Sequence, residues 1–167
     1  VGGGSLVLIH SGGPAQPTEI SRNAAARGGG VFLFSDTPSA TALQGHRLIG
    51  DDNTALIEGG FAAIHMVGDD GALRVGELHI DASTFFGGAP CTDPLECNVF
   101  RGNAAIGRDG EPRPGALVAI RNEGKAAVGY ARFWNTTVRE SLGHDLAHGW
   151  SDANSSLSRA LYRHTSP

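Results

Sequence analysis

The chain has 167 residues, the size of one domain with a single core, and 40% of them are hydrophobic. Its net charge of −4 gives no basic surface, so nucleic acid is not an expected partner, and no apolar run approaches the roughly 18 residues that span a bilayer. Glycine is unusually frequent at 25 residues, without the regular spacing of collagen, and this predicts many tight corners between short strands.

The predicted strands form a repeat along the chain. Four apolar runs each follow a glycine: GSLVLI at 4–9, GVFLF at 30–34, GFAAIHMV at 60–67 and GALVAI at 115–120. After a turn, a second run follows each of the last three, at 41–50, 72–81 and 126–135. These runs are too short for helices, and a unit this small cannot bury its apolar face alone. Stacked units sharing a continuous core are therefore expected.

An asparagine ends each unit, at Asn23, Asn53, Asn103 and Asn135. At the same corner of successive turns, each side-chain amide can donate to one neighbour and accept from another. This pairing satisfies a group whose burial without partners costs about 1–3 kcal/mol. Asparagine also tolerates the left-handed backbone of a sharp corner. We therefore predict that these four residues form a structural ladder.

Glycines mark the next corner of the predicted turn, at Gly30, Gly60 and Gly115. A positive φ angle and the close approach of neighbouring turns both exclude a Cβ atom there. Three strands and three corners in roughly 26–30 residues describe one turn of a parallel β-helix. The sequence therefore predicts an all-β solenoid of about five turns over residues 1–150.

Two segments interrupt the repeat. STFFGGAPCTDPLECN at 83–98 is predicted to be a loop excursion, in which Phe85 and Phe86 form either a contact patch or part of the core. Cys91 and Cys97 in this loop are predicted to form a disulfide, which implies an oxidising, extracytoplasmic setting; the alternative is two reduced thiols. GRDGEPRPG at 107–115 is a smaller excursion, since its prolines cannot donate to a central ladder.

Residues 151–167 are predicted to be a C-terminal cap or tail. Leu157, Ala160, Leu161 and His164 have helical spacing, which predicts a short amphipathic helix covering the last turn. The opening stretch VGGGSLVLI shows no comparable cap and has neither a starting Met nor a basic segment. We expect any export signal to have been removed or to lie outside this sequence. We also expect the chain to self-associate through the exposed end of the solenoid.

Two tetrapeptides of the repeat resemble those of a known family. Phe100-Arg101-Gly102-Asn103 matches Phe-x-x-Asn, with Ile20-Ser21-Arg22-Asn23 as a variant. Gly29-Gly30-Val31, Gly59-Gly60-Phe61-Ala62 and the reduced Gly115-Ala116-Leu117 resemble a Gly-Gly-small-aliphatic motif. Over roughly residues 4–149 the chain thus resembles the repeats of polymorphic outer-membrane proteins and autotransporter passengers, and it departs from them at Asp51-Asp52-Asn53 and at 135–149. The resemblance implies a right-handed parallel β-helix in a cell-surface context, without defined catalytic residues.

Candidate chemical groups are incomplete in the sequence. His144 and His148 have the spacing of a helical metal pair but no third ligand, so we predict no metal site and no cofactor. The sequence contains two pairs of adjacent aspartates. Because adjacent side chains on a strand point to opposite faces, such a pair does not act together on a glycan or a calcium ion, and a role in turns is favoured. The pairs are Asp51 with Asp52, and Asp69 with Asp70. No GxSxG nucleophile elbow occurs, and no catalytic residue is predicted.

Two functions remain from the sequence. The first is a non-catalytic extracellular or cell-surface protein with a structural, adhesive or self-assembling role, in filaments or surface layers. Its partners would be its own exposed ends, surface glycans, or host and cell-surface proteins, and exposed arginines are expected to be a solvated flank more than an acidic-glycan site. The alternative is a carbohydrate-active enzyme, either a polysaccharide lyase or a glycoside hydrolase. A short solenoid favours the first, and three or more acidic side chains with Arg or His on one outward face would favour the second.

Overall fold

The computed structural model describes residues 5–8, 18–36, 40–45, 48–68, 74–81, 98–124, 127–151 and 156–166. These ranges form strands joined by turns and bends, with no helix among the residues described. The strands are β1 (Ser5–Leu8), β2 (Thr18–Glu19), β3 (Ala24–Arg27), β4 (Val31–Ser35), β5 (Ala40–Gly45), β6 (Leu48–Asp51), β7 (Thr54–Glu58), β8 (Ala62–Gly68), β9 (Arg74–Asp81), β10 (Asn98–Arg101), β11 (Ala104–Ala105), β12 (Val118–Gly124), β13 (Ala127–Arg139), β14 (Ala147–Ser151) and β15 (Ser156–Ser166).

The strands form three parallel sheets. The first sheet has the order β1-β5-β9-β13-β10-β6-β2, with β15 also paired to β13; the second has the order β11-β7-β3, and the third β14-β12-β8-β4. Each turn of the chain passes through the first, second and third sheets in that order, and equivalent strands of successive turns pair in parallel. β1 with β2, β5 with β6, and β9 with β10 are successive strands of the first sheet. The chain is a right-handed parallel β-helix of about four to five turns, which confirms the predicted fold.

The core lies inside the coil and is filled by the apolar runs of the repeat. Phe61 and Phe100 are fully buried, with their ring centroids 4.8 Å apart in an edge-on arrangement. Gly50 leaves room for the second ring, because a Cβ there would lie 2.5 Å from Phe100 Cδ1. The aromatic residue of the Phe-x-x-Asn motif therefore fills the interior while the rest of the motif forms a corner.

The predicted C-terminal helix is wrong. Ser156–Ser166 is instead the strand β15, which pairs in parallel with β13 and has one register shift beside Gly129. A helix of this length is marginal on its own, whereas the edge of β13 has unpaired backbone groups that a strand satisfies at once. Pairing along the edge therefore outweighs the helical spacing of the apolar residues.

Of the three predicted corner glycines, Gly115 lies at the corner, whereas Gly30 and Gly60 do not. At this corner the residues with positive φ are Gly28, Gly59 and Gly115, at +56°, +69° and +69°, and each lies three residues before the start of its third-sheet strand. Gly30 is not a corner position, because it lies two residues later, and its amide donates to Phe61 O. Gly60 follows the corner residue, and a Cβ there would lie 2.1 Å from Ala116 O of the next turn. Close approach, without a positive φ, therefore explains Gly60.

The two predicted excursions differ in how much of them is described. Residues 82–97 connect Asp81 to Asn98, whereas Asn135 alone connects the aligned Trp134 and Thr136. Cys91, Cys97, Phe85 and Phe86 lie outside the described residues, as do Asp69 and Asp70. The shorter excursion is a hairpin over 106–113, closed by the antiparallel bridge between Ile106 and Pro112.

Candidate functional site

The asparagine ladder is present at Asn23, Asn53 and Asn103. Asn23 Nδ2 donates to Asn53 Oδ1, and Asn53 Nδ2 donates to Asn103 Oδ1, both at 3.0 Å. In each step the backbone N–H of the asparagine that donates its amide also donates to the same Oδ1 oxygen, at 3.2 Å. The second amide protons of Asn53 and Asn103 reach Ile20 O and Gly50 O. The sequence-based ladder is therefore confirmed for these three residues, and it ties the turns together along the axis.

Asn135 is wrong as the fourth member of the ladder. Asn98 pairs with Thr136 and Arg101 with Arg139, so Asn135 lies six residues before the ladder position of its turn. Ala104 pairs with Leu142, and the residue aligned with Asn103 is therefore Ser141. Ser141 Oγ donates to Arg139 O, so this side chain caps the local corner.

A column of left-handed residues precedes the ladder. Arg22, Asp52, Gly102 and Glu140 have φ angles of 58°, 55°, 62° and 53°. Glycine adopts this φ without strain at Gly102, and a Cβ there would lie 2.2 Å from Asp52 Oδ1, an exposed carboxylate oxygen that would have to turn aside. This conformation fixes the sharp bend that aims each following asparagine at its neighbour. Asp52 is therefore a corner residue, and its neighbour Asp51 pairs with Arg101 of the next turn.

The outward side of the third sheet carries most of the described charged pairs. Along β8 and β12, inward side chains such as Ile64 and Ile120 are buried, and the alternate residues point outward. We call this outward side the third-sheet face. Its members, with the corner residues beside them, are Arg27, Phe32, Phe34, Glu58, Ala63, His65, Ala119, Arg121, Glu123, Asp145 and His148.

The acidic side chains of the third-sheet face are all paired with bases. Arg27 Nε lies 2.8 Å from Glu58 Oε1, in the corner column beside the sheet. Arg121 Nε lies 2.6 Å from Glu123 Oε1, and the same carboxylate oxygen lies 3.4 Å from His65 Nε2. The face therefore carries two Arg–carboxylate pairs on either side of one imidazole.

The third carboxylate of the third-sheet face is Asp145, which lies just before β14. Asp145 Oδ2 lies 2.7 Å from His148 Nδ1, while its Oδ1 accepts a hydrogen bond from Gly115 N at 2.7 Å. His144 and His148 do not form the helical pair that their spacing allows, because His148 lies on β14 and its ring contacts Asp145. The described residues contain no group of three metal-ligating side chains.

Two aromatic rings project from β4 on the third-sheet face. Phe32 and Phe34 are 45% and 38% exposed, which is unusual for side chains of this size. Phe34 contacts His65 edge-on, with ring centroids 5.6 Å apart. Ala63 and Ala119 follow Phe32 in register on the next two turns. The large rings thus stand beside small residues, and this difference in side-chain size makes one side of the face higher than the other.

No protein-family model matches the chain, and neither a curated protein nor a solved structure shows significant similarity to it. None of the residues that the structure describes forms a helix able to cross a bilayer.

The third-sheet face was not predicted from the sequence as a candidate site. The exposed arginines expected to form a solvated flank include Arg74, Arg121 and Arg132. Arg74 and Arg132 lie on the first sheet at different register positions, apart from Arg121. The signal was present in the alternation of IHM at 64–66 and IRNE at 120–123. The aligned register of His65 with Arg121 brings these residues together, and that register became visible only in the structure.

Burial lowers the pKa of His65, against the smaller opposing effects of Glu123 and Glu58, while Arg121 and Arg27 lower it further. A histidine with a pKa below its unfolded value of about 6.5 binds its proton more readily in the unfolded chain. The stability that neutral His65 contributes is therefore fully present above the unfolded pKa of about 6.5, and it is lost as the pH falls through the folded pKa.

We expect acidification from pH 7.5 to pH 5 to lower the urea midpoint less in His65→Gln than in the wild type. Denaturation series at both pH values measure the difference, and His144→Gln, which replaces an exposed histidine, is the control. Equal midpoint shifts in wild type and His65→Gln would contradict the lowered pKa of His65.

Proposed function

We propose that the chain is a non-catalytic, extracellular adhesive β-helix protein that binds neutral glycans through the third-sheet face. We further propose that its repeat is of the polymorphic outer-membrane and autotransporter passenger type. The buried Phe100 and the ladder position of Asn103 support the second statement, because both residues of that tetrapeptide have structural roles. The cell-surface location follows from the same resemblance.

The observation that carries the binding proposal is the exposed pair Phe32 and Phe34 beside balanced charges. Exposed aromatic rings on a rigid sheet offer flat apolar surfaces on which the C–H side of a sugar ring can stack. The neighbouring Arg–carboxylate pairs, Arg27 with Glu58 and Arg121 with Glu123, carry no formal net charge. Such pairs can exchange hydrogen bonds with sugar hydroxyls, and they offer no attraction to a polyanion.

The test is a glycan-array screen followed by calorimetry with a soluble oligosaccharide that the wild type binds. We expect the double variant Phe32→Ser/Phe34→Ser to lose affinity by about tenfold or more, because it removes both stacking surfaces. Leu142→Ser is the matched control, since Leu142 is 50% exposed on a different sheet. Calorimetry reports affinity per site and does not depend on the number of copies in an assembly. Unchanged affinity in the double variant, or no neutral glycan bound by the wild type, would contradict the proposal.

A specific observation favours the enzymatic alternative. Three acidic residues, Glu58, Glu123 and Asp145, lie on or beside one outward face together with His65 and His148. Sugar-cleaving enzymes use paired carboxylates as acid, base or nucleophile. Each carboxylate here is engaged by a basic side chain, which supports a binding role. Incubation with pectin and alginate distinguishes the two, because an enzyme would release new unsaturated or reducing ends and Glu123→Gln would abolish them.

A further inference from the structure

His65 lies on the third-sheet face between one of the exposed aromatic rings and a charged pair. In the third sheet, β8 lies between β4 and β12. On one side, Phe34 of β4 contacts the imidazole of His65, with 5.6 Å between the ring centroids and 86° between the ring planes. On the other side, Glu123 Oε1 of β12 lies 3.4 Å from His65 Nε2. The imidazole therefore has an apolar neighbour and an anionic neighbour on opposite strands.

The surroundings of His65 favour its neutral form. The side chain is 14% exposed, and Nε2 is buried with no hydrogen-bond partner among the described residues. Glu123 Oε1 already lies 2.6 Å from Arg121 Nε. The charged groups that act on the imidazole are Arg121 and Glu123 on β12, with Arg27 and Glu58 at the ends of β3 and β7. Burial lowers the pKa of His65 more than the two carboxylates raise it.

A proton on the imidazole changes which neighbour it favours. A cationic N–H donates to a carboxylate oxygen at about 2.7–2.9 Å, so Nε2 would move closer to Glu123 than its present 3.4 Å. This movement is toward β12 and therefore away from Phe34 on β4. The protonated ring would also compete with Arg121 for the same carboxylate oxygen. Protonation therefore removes the support that the neutral imidazole gives to the Phe34 ring.

A sugar stacked on Phe34 and a proton on His65 oppose each other. The Phe34 ring is 38% exposed and lies against the imidazole, so a sugar bound on it also covers His65. Covering the imidazole removes the water that a cation needs, and a neutral sugar supplies no compensating charge. The bound state therefore holds the proton of His65 less tightly than the free state does.

We propose that His65 is a positioning residue of the glycan site, which binds its neutral glycan while this imidazole is neutral and releases it on acidification. The inference rests on the proposed glycan binding and adds its regulation. Because the glycan lowers the pKa of His65 further, full affinity is present above the pKa of the free folded protein. Affinity is lost as the pH falls through that pKa.

The experiment is calorimetry of the full chain at pH 7.5 and pH 5 with a neutral trisaccharide taken from the glycan-array hits at pH 7.5. Circular dichroism at both pH values checks that the protein is folded. We expect the wild type to bind about twofold or more weakly at pH 5 than at pH 7.5 and to release protons on binding at pH 5. Buffers with different ionisation enthalpies measure the released protons.

Two variants separate the ring contact from the titration. His65→Gln removes both, and we expect weaker binding than in the wild type at pH 7.5 with no further loss at pH 5. His65→Phe keeps an aromatic ring beside Phe34 without a titrating group, and we expect it to restore binding at pH 7.5 and to keep that affinity at pH 5. His144→Gln is the control for loss of an exposed histidine outside the third-sheet face, and it is expected to behave as the wild type does.

The outcomes distinguish this inference from the proposed function. If the wild type binds no neutral glycan at pH 7.5, the proposed function fails and this inference fails with it. If it binds equally well at both pH values, the glycan site stands and only its regulation by His65 is excluded. A pH dependence that persists in His65→Phe would come from another group, such as His148, and would also overturn the inference.

Discussion

Phe100→Ala is expected to lower the free energy of unfolding by about 3–5 kcal/mol. The ring is fully buried, contacts Phe61 edge-on at 4.8 Å between centroids, and fills the space that Gly50 leaves open. Its removal loses apolar burial and leaves a cavity that a hydrogen-bonded stack of turns cannot close without breaking its register. Urea denaturation followed by far-UV circular dichroism measures the change.

The matched control for this experiment is Phe32→Ala. It removes the same side chain from the third-sheet face, where the ring is 45% exposed, and we expect a loss below about 1 kcal/mol. Similar losses at the two positions would mean that Phe100 does not occupy the interior. A second variant, Phe100→Leu, keeps most of the volume and is expected to lie between them, so the comparison survives if the alanine variant does not fold.

Asn53→Ala is expected to cost about 2–3 kcal/mol. Asn53 is buried in the middle of the ladder, where its amide accepts two hydrogen bonds from Asn23 and donates to Asn103 Oδ1 and Ile20 O. Alanine leaves the donors of Asn23, Asn103 Oδ1 and Ile20 O without the hydrogen bonds that Asn53 makes to them. Water does not replace these hydrogen bonds because the position is buried. The loss is measured by the same denaturation series.

Asn23→Ala provides the comparison within the ladder. Asn23 makes the same kind of hydrogen bond but is exposed at the end of the column, so water replaces the lost partner and a smaller effect is expected. Asn53→Asp keeps the shape and the acceptors but removes the amide donors, and it should also be strongly destabilising. If Asn53→Ala and Asn23→Ala were equally mild, the ladder would not contribute to holding the turns in register.

The fold was predictable because the same corner residues, asparagines and apolar runs recur along the sequence. Asn23, Asn53 and Asn103 each follow a left-handed corner residue and precede small residues, so one local rule identified all three. Asn135 was misassigned because β13 runs without interruption from one half of the first sheet into the other, which shifts the corner to Ser141. Only the pairing of strands reveals such a shift.

The charged residues of the third-sheet face show a different limit. His65 and Arg121 align across an interval that contains both excursions, so no fixed period connects them in the sequence. Each alone resembles an ordinary outward residue of an amphipathic strand. The tail shows a third limit, since the spacing of Leu157, Ala160 and Leu161 is helical but the available partner was a strand edge.

The unequal connections between the two halves of the first sheet have a consequence for how such a chain can change. Residues 46–47 make the connection in one turn, residues 82–97 in the next and Asn135 in the one after, while the flanking strands keep their pairing. The hydrogen bonds that hold each strand come from the turns above and below, and closing a longer loop adds only a slowly growing entropic cost. We therefore expect a foreign peptide inserted between Gly45 and Leu48 to leave the pairing of the flanking strands intact. Natural changes in the length of this connection should be tolerated for the same reason.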